Sequence, residues 1–326
     1  MANPLRSSPA AGEDADAQRF DALVVAAKAV ADGQRACVLR LLKEESYGVL
    51  ELCRLLDTPQ PALSHHLKVL HQAGLVAKRR EGNTIFYRRA PAPTALHRAL
   101  LEAIDEIDLA EQHRARIETV HQQRSQRSEA FFAEHAEHFK SNQARISEAA
   151  VYVGSVLEIV DRTGLGAGTA LEIGPGEGEL LRPLAQRFHQ VVAIDSARSM
   201  LDQSARQVAD LDNVRLLHRD VATLHEPSGY QLLVAAMVVH HLPSPQRFFR
   251  QARRLLERNG VLIVVELCRH EHQWAHAACG DLWLGFEAAE LAHWAANAGF
   301  AAGESQFLAQ KNGFRIQIHT YLNHSS

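Results

Sequence analysis

Cysteine is scarce in these 326 residues: Cys37, Cys53, Cys268 and Cys279 are too few and too scattered for a disulfide framework. They read as reduced thiols of a cytosolic protein. No apolar run approaches the ~20 residues of a membrane span. The first 18 residues lack a continuous apolar core, which excludes a secretory leader and leaves a flexible tail as the expectation. The chain also lacks a large charge of either sign, its formal net charge being -3, so it is not a polycation throughout. No internal repeat stands out.

What is present is uneven charge and two styles of patterning. Asp21–Arg89 holds 11 Lys or Arg against 7 Asp or Glu, which leaves the remainder at about -7. The basic third begins with apolar side chains at helical spacing (Phe20, Leu23, Val24, Ala27, Val30). Apolar stretches follow at Val38–Leu42 and Val49–Leu56. Asp57-Thr58-Pro59 then introduces a helix from Gln60 or Pro61 to Gln72, with Pro61 suited to a first turn and Gly74 to the stop. Leu75–Arg80 and Thr84–Arg88 read as two strands about a Glu81-Gly82-Asn83 turn. Helix, turn, helix and a basic two-stranded wing is a geometry for entering a major groove and gripping flanking phosphates. Gln60, Ser64, His65 and Lys68 share one side of the fourth helix, while Leu63, Leu67 and Leu70 face the core. Lys78, Arg79, Arg80, Arg88 and Arg89 on the wing are candidates for phosphate contact.

The stretch Ala31–Arg89, carried by Gln60–Leu70 and Ala73-Gly74-Leu75-Val76, resembles the ArsR/SmtB family of winged-helix repressors. The resemblance implies a homodimer on double-stranded operator DNA, with a terminal helix at the dimer interface. The stripe Leu96, Leu100, Ile104, Ile107 matches that helix. The family's Cys-x-Cys metal-sensing pair falls here on Gly48 and Leu50, and His113 and His121 do not reproduce its other site. No metal is therefore expected at those positions. A polar run from Glu111 to Arg127 reads as an exposed helical connector.

From about Ala144 helices alternate with short apolar strands: Thr169–Ile173, Val191–Ile194, Val214–His218, Leu232–Ala236 and Val261–Glu266. This is parallel α/β organisation. Gly303–Ala309 and Phe314–Leu322, about an Asn-Gly turn, form a terminal hairpin. The expected fold is mixed: a tail over 1–18, an α+β winged helix-turn-helix over 19–92, dimerisation and connector helices over 93–145, and a Rossmann-like domain over 146–326.

Glu172-Ile173-Gly174-Pro175-Gly176-Glu177-Gly178 is a strand running into a G-x-G-x-G turn. Its glycines allow a sharp bend and close ligand approach. Glu172 repels phosphate and suits a cationic group. Asp195 ends the second strand, placed to accept from ribose hydroxyls, and Asp220 follows the third, near an adenine amino group. This set resembles class I S-adenosylmethionine (SAM)-dependent methyltransferases over Ala150–Asn323. It implies SAM or S-adenosylhomocysteine (SAH) as ligand, with Glu172, Gly174, Gly176, Gly178, Asp195 and Asp220 at the site. Tyr230-Gln231 departs from the aromatic-Asp pair common on the fourth strand of such enzymes.

His240, His241 and Glu266 follow strand ends and are the candidate acid-base residues, none of them decisive. Cys268, His270, His272, His276 and Cys279 supply metal-ligand types but read as a polar segment of a histidine-rich chain. Two thiols are too few for arsenite methylation. The whole resembles an ArsR-type domain fused to a methyltransferase domain, some examples of which are SAH-responsive repressors. Two roles remain open: a regulator sensing SAM or SAH, or a small-molecule methyltransferase controlling its own operon. A third, DNA base methylation, lacks an Asn-Pro-Pro-Tyr-like or Pro-Cys motif.

Overall fold

The computed structural model describes residues 10–82, 84–92, 94–224 and 229–324. It divides into two compact units, Met1–Val120 and His121–Ser326. Residues 1–9 of the expected tail, Asn83 of the expected turn and Pro93 lie outside the described residues. No helix among those described is long and apolar enough to cross a membrane.

The first unit opens with α1 (Ala10–Val30), which begins inside the stretch expected to be a tail. The sequence there is alanine-rich and supports helix. Asp32 caps α2 (Gly33–Leu41), its carboxylate accepting from Arg35 N at 2.9 Å. β1 (Tyr47–Gly48) leads into α3 (Val49–Leu56), which ends where Asp57 turns left-handed (φ 52°). α4 (Gln60–Gln72) has Pro61 in its first turn and is terminated through Gly74 at φ 69°. β2 (Val76–Glu81) and β3 (Thr84–Arg89) pair antiparallel, with Lys78 opposite Tyr87 and Arg80 opposite Ile85. Leu39, Leu52, Leu55, Leu63, Leu67 and Leu70 are fully buried and fuse the helices into one core.

α5 (Ala95–Asp105) divides the expected stripe between two faces. The face turned into the core is His97, Leu101 and Ile104, whereas Leu96 and Leu100 are half-exposed and Ile107 is 62% exposed. His97 bonds Thr94 Oγ1 at 2.7 Å and Ala73 O at 3.0 Å, so a polar ring takes an inward position. The next helix, α6 (Glu111–Ile146), is continuous over 36 residues. Its polar run is not simply exposed: within the second unit His121 and Arg124 are buried, Arg124 donating to Pro243 O and His121 Nδ1 meeting Arg247 at 2.8 Å.

The second unit continues with α7 (Val153–Thr163), β4 (Thr169–Ile173), α8 (Leu181–Ala185), β5 (Gln190–Asp195), α9 (Arg198–Val208) and β6 (Val214–His218). It closes with β7 (Tyr230–Ala236), α10 (Pro245–Leu255), β8 (Leu256–Leu267), α11 (Trp274–Cys279), α12 (Ala288–Asn297), β9 (Ala301–Ala309) and β10 (Arg315–Leu322). The strand order is β6-β5-β4-β7-β8-β10-β9. The first five are parallel, and β10 is antiparallel to both neighbours, as the hairpin expectation required. The central strands are nearly continuous runs of buried apolar residues because helices cover both faces. The chain leaves β4 on one side through β5 and β6, then returns on the other as β7. That reversal opens a crevice at the carboxyl ends of β4 and β7. At the start of β7, Gln231 packs where a Cβ on Gly168 would lie 2.4 Å from its Cδ, so the pair Tyr230-Gln231 is accommodated by a glycine.

Candidate functional site

A cavity of about 410 Å³ occupies that crevice. Glu172, Gly174, Gly176, Asp195 and Asp220 all line it. Gly178 does not. At φ 89° it turns the chain toward α8, and a Cβ there would meet Leu181 at 3.2 Å and Ser204 at 3.4 Å. Ser204 Oγ donates to Gly176 O at 2.7 Å and holds the turn from behind.

Glu172 is buried and its Oε2 has no hydrogen-bond partner. Burial, then the Glu179 carboxylate, pushes its acid up to about 8. Asp195 accepts from Ala197 N at 2.8 Å, yet burial still pushes it up to about 6. Asp220 accepts from Ala222 N at 2.8 Å and caps a short 3-10 turn. Six carboxylates (Glu148, Glu172, Glu177, Glu179, Asp195, Asp220) line the cavity, and no Lys or Arg stands among its described lining residues. Such a field repels phosphate and attracts cationic groups.

Pattern reading of the sequence missed one side of this cavity. Ser125, Ser128 and Phe132 of α6 line it, with Ser147–Ala150 and Tyr152 just beyond that helix. Ser125, Ser128 and Phe132 recur at helical spacing, but a polar face carries no hydrophobic signal. Met237, at the end of β7, lines it in a left-handed conformation (φ 54°) with its N–H bonded to Val265 O at 2.8 Å.

Of the acid-base candidates, only His241 lines the cavity. Burial, followed by the neighbouring His240, holds its imidazole neutral, well below the ordinary range. His240 and Glu266 are buried together behind the wall, Nδ1 to Oε2 at 2.7 Å. Burial opposes charge on His240, but the Glu266 and Asp281 carboxylates outweigh it and push the imidazole up to about 9. Among the described residues, the Cys268–Cys279 segment gathers no grouping of three metal-ligand side chains; His240, His241 and Asp281 form the one such group.

In the first unit, Gln60, Ser64, His65 and Lys68 are exposed together on α4, opposite the buried leucines. Lys78 and Arg80 are exposed on the wing and Arg88 is half-buried. Arg79 corrects the expectation of phosphate contact. It points to the other face of β2, is only 8% exposed and pairs with Glu81. Arg89 is likewise tied to Asp105, at 2.6 and 3.0 Å, and to Leu39 O at 2.7 Å.

Residues 32–78 match the family model of bacterial regulatory proteins of the arsR family. An uncharacterized HTH-type transcriptional regulator of Methanocaldococcus jannaschii is 43% identical over 63 residues, covering 18% of this chain and 68% of that protein. The chain belongs to the arsR family of bacterial regulatory proteins. Its second unit is a class I methyltransferase domain, matched by the methyltransferase-domain model over residues 171–264. Ribosomal RNA small subunit methyltransferase A of Geobacillus thermodenitrificans is 40% identical over 91 residues, which cover 26% of this arsR-family chain but only 31% of that enzyme. A solved methyltransferase from the complex with the Trm112 methyltransferase activator of Haloferax volcanii superposes with TM-score 0.50 at 15% identity. The match covers 61% of this chain and 98% of that one, and the likeness is one of fold.

Proposed function

We propose that this arsR-family regulator binds operator DNA through α4 and the wing, and that its methyltransferase domain binds SAM or SAH as the effector. One observation carries the reading. α6 contributes Ser125, Ser128 and Phe132 to the cavity wall, and the same unbroken helix begins in the DNA-binding unit, where Arg116 donates to Leu55 O of α3 at 3.1 Å. A ligand that repositions Phe132 therefore acts on a helix whose own chain continues from the helix-turn-helix unit. The cavity's residues suit the ligand. The unpartnered Glu172 Oε2 fits an ammonium group, Asp195 fits ribose hydroxyls, the open side of Gly176 fits close approach, and the carboxylate-rich lining disfavours a nucleotide phosphate.

The test is operator binding by full-length protein on its own upstream region, with SAH, SAM or neither. A ligand-dependent change of about 5- to 150-fold is expected, the usual range of allosteric coupling. SAH binding without any change in operator affinity refutes the effector role. The exposed Leu23, Val24 and Ile107, with half-exposed Leu96 and Leu100, suit a homodimer interface. The same experiment's footprint is then two half-sites about one helical turn apart; a lone half-site contradicts the dimer.

The wing gives a second expectation. Lys78→Ala and Arg80→Ala are each expected to reduce the slope of log affinity against log salt by about 1. Arg79→Ala is expected to leave that slope unchanged and to destabilise the fold by about 3 kcal/mol, because it removes an ion-pair partner of the buried Glu81. An Arg79 variant with full stability and a reduced slope reverses this assignment.

The alternative, an active small-molecule methyltransferase that autoregulates its operon, draws on His241, the one acid-base candidate among the described lining residues of the cavity. Conversion of SAM to SAH with a candidate acceptor, lost in His241→Gln, is its signature.

A further inference from the structure

Behind the cavity wall four ionisable side chains converge with almost no exposure: His240, His241, Glu266 and Asp281. The two histidines sit in the short 3-10 turn Val239–His241 after β7, Glu266 near the end of β8, and Asp281 in the loop after α11. His240 Nε2 is 3.8 Å from Asp281 Oδ1, and His241 Nδ1 is 3.9 Å from the same oxygen. One ligand atom from each of the three lies within 4.8 Å of the others. Both separations are too long for hydrogen bonds. They are close to the spacing, about 3.4 Å, that a tetrahedral ion with bonds of about 2.1 Å imposes on neighbouring donors.

Glu266 defines which nitrogen of His240 is available. Its Oε2 accepts from His240 Nδ1 at 2.7 Å and its Oε1 from His240 N at 3.1 Å. The ring is thereby fixed with Nε2 toward Asp281. Carboxylate behind, imidazole between and cation in front is the arrangement that orients histidine ligands in zinc proteins. The loop carrying Asp281 is strapped to the same turn: Leu282 N and Trp283 N both donate to His240 O, at 3.0 and 3.1 Å, and Trp283 Nε1 to Leu242 O at 3.0 Å. Gly280, at φ 73°, lets that loop pass where a Cβ would lie 2.4 Å from the Phe131 ring. The frame is held before any ion arrives.

We propose that His240, His241 and Asp281 bind one zinc-type divalent cation, with Glu266 holding His240 in the liganding orientation. Two imidazoles and one carboxylate are a donor set for zinc rather than for magnesium or calcium, which take oxygen ligands. Zinc takes the Nε2 lone pair of His240, so its binding would release the proton that this imidazole otherwise carries between the Glu266 and Asp281 carboxylates. At His241 it takes Nδ1 in place of the 3.3 Å contact to Gly280 O. Because His241 also lines the cavity, the ion would pin one wall of the ligand site to the loop after α11. The inference is independent of the effector reading.

Full-length protein stripped with a chelator, reloaded with zinc chloride and passed through gel filtration is expected to retain one zinc per chain by elemental mass spectrometry. Asp281→Asn and His241→Gln are each expected to abolish that retention while the stripped variants keep the wild-type circular dichroism. Glu266→Gln is expected to weaken zinc affinity about 10- to 100-fold. Should one ligand variant fail to fold, the cobalt-loaded wild type still decides: tetrahedral d–d absorption without thiolate charge transfer supports the site. Folded wild type that retains no zinc, retention equal in both ligand variants, or a thiolate band from Cys268 or Cys279 overturns it.

Discussion

Glu172→Gln is expected to weaken SAH binding by about 1.5–3 kcal/mol, the worth of a hydrogen bond to a charged group, or about 10- to 150-fold in Kd. The substitution keeps the shape of a buried side chain at the end of β4 and removes its charge. Glu172 lines a carboxylate-rich cavity, and its Oε2 is buried with no hydrogen-bond partner. A ligand ammonium supplies the missing partner. Calorimetric titration of wild type and variant reads the difference, and equal affinities refute the contact.

The pH profile follows from the same group. Burial first, and Glu179 second, raise the Glu172 acid from its ordinary 4.5 to about 8. A raised carboxyl favours the protonated folded state, so this contribution to the stability of the ligand-free protein is full below about 4.5. It is lost progressively as pH rises toward about 8. Binding of an ammonium group needs the carboxylate and so releases a proton below about 8. SAH affinity is therefore expected to fall by up to about tenfold per pH unit below 8, with Asp195, raised by burial to about 6, adding a second decline. In Glu172→Gln the upper decline is expected to vanish. A wild-type affinity flat from pH 6 to about 8 excludes a proton-linked Glu172.

How much was legible in the sequence depends on the kind of signal each residue sends. Leu63, Leu67 and Leu70 repeat at helical spacing, and all three are buried on α4. The run at 169–173 coincides with β4, four of whose five residues are buried, since buried parallel strands are written in largely apolar residues. Gly174, Asp195 and Asp220 were readable because each sits at a strand end, where an open α/β sheet presents its ligand face. Arg79 was misjudged as one of three consecutive basic residues, although a strand's period of two turns the middle one to the opposite face. Ser125, Ser128 and Phe132 were missed because a cavity wall built from serines lacks apolar contrast. His97 takes a core position on α5 that apolar spacing could not show, because its ring is polar. Asp281 stands 40 residues beyond His241, and only the fold brings that loop against the turn after β7.

Gly174→Ala is expected to destabilise the protein by about 2–5 kcal/mol, a large part of the about 5–15 kcal/mol typical of a folded domain. Two separable effects combine. Gly174 lies at φ 63°, where an L-residue costs about 1–2 kcal/mol. A Cβ there also falls 2.4 Å from Val238 Cγ2, an overpacking worth about 1–3 kcal/mol. Val238→Ala in the same chain is expected to remove the second effect and leave the first, so the double variant should be less damaged than the sum of the singles. Gly176 is the internal control. It has the same left-handed backbone at φ 60°, but nothing lies within 4 Å of its Cβ position. Gly176→Ala should cost only the backbone share and show no coupling to Val238. Its methyl group enters the open cavity, so its larger effect falls on SAH affinity. Denaturant unfolding with and without SAH separates these outcomes. Additive losses at 174 and 238 would mean that backbone conformation alone, not the approach of Val238, requires glycine at the first position of the turn.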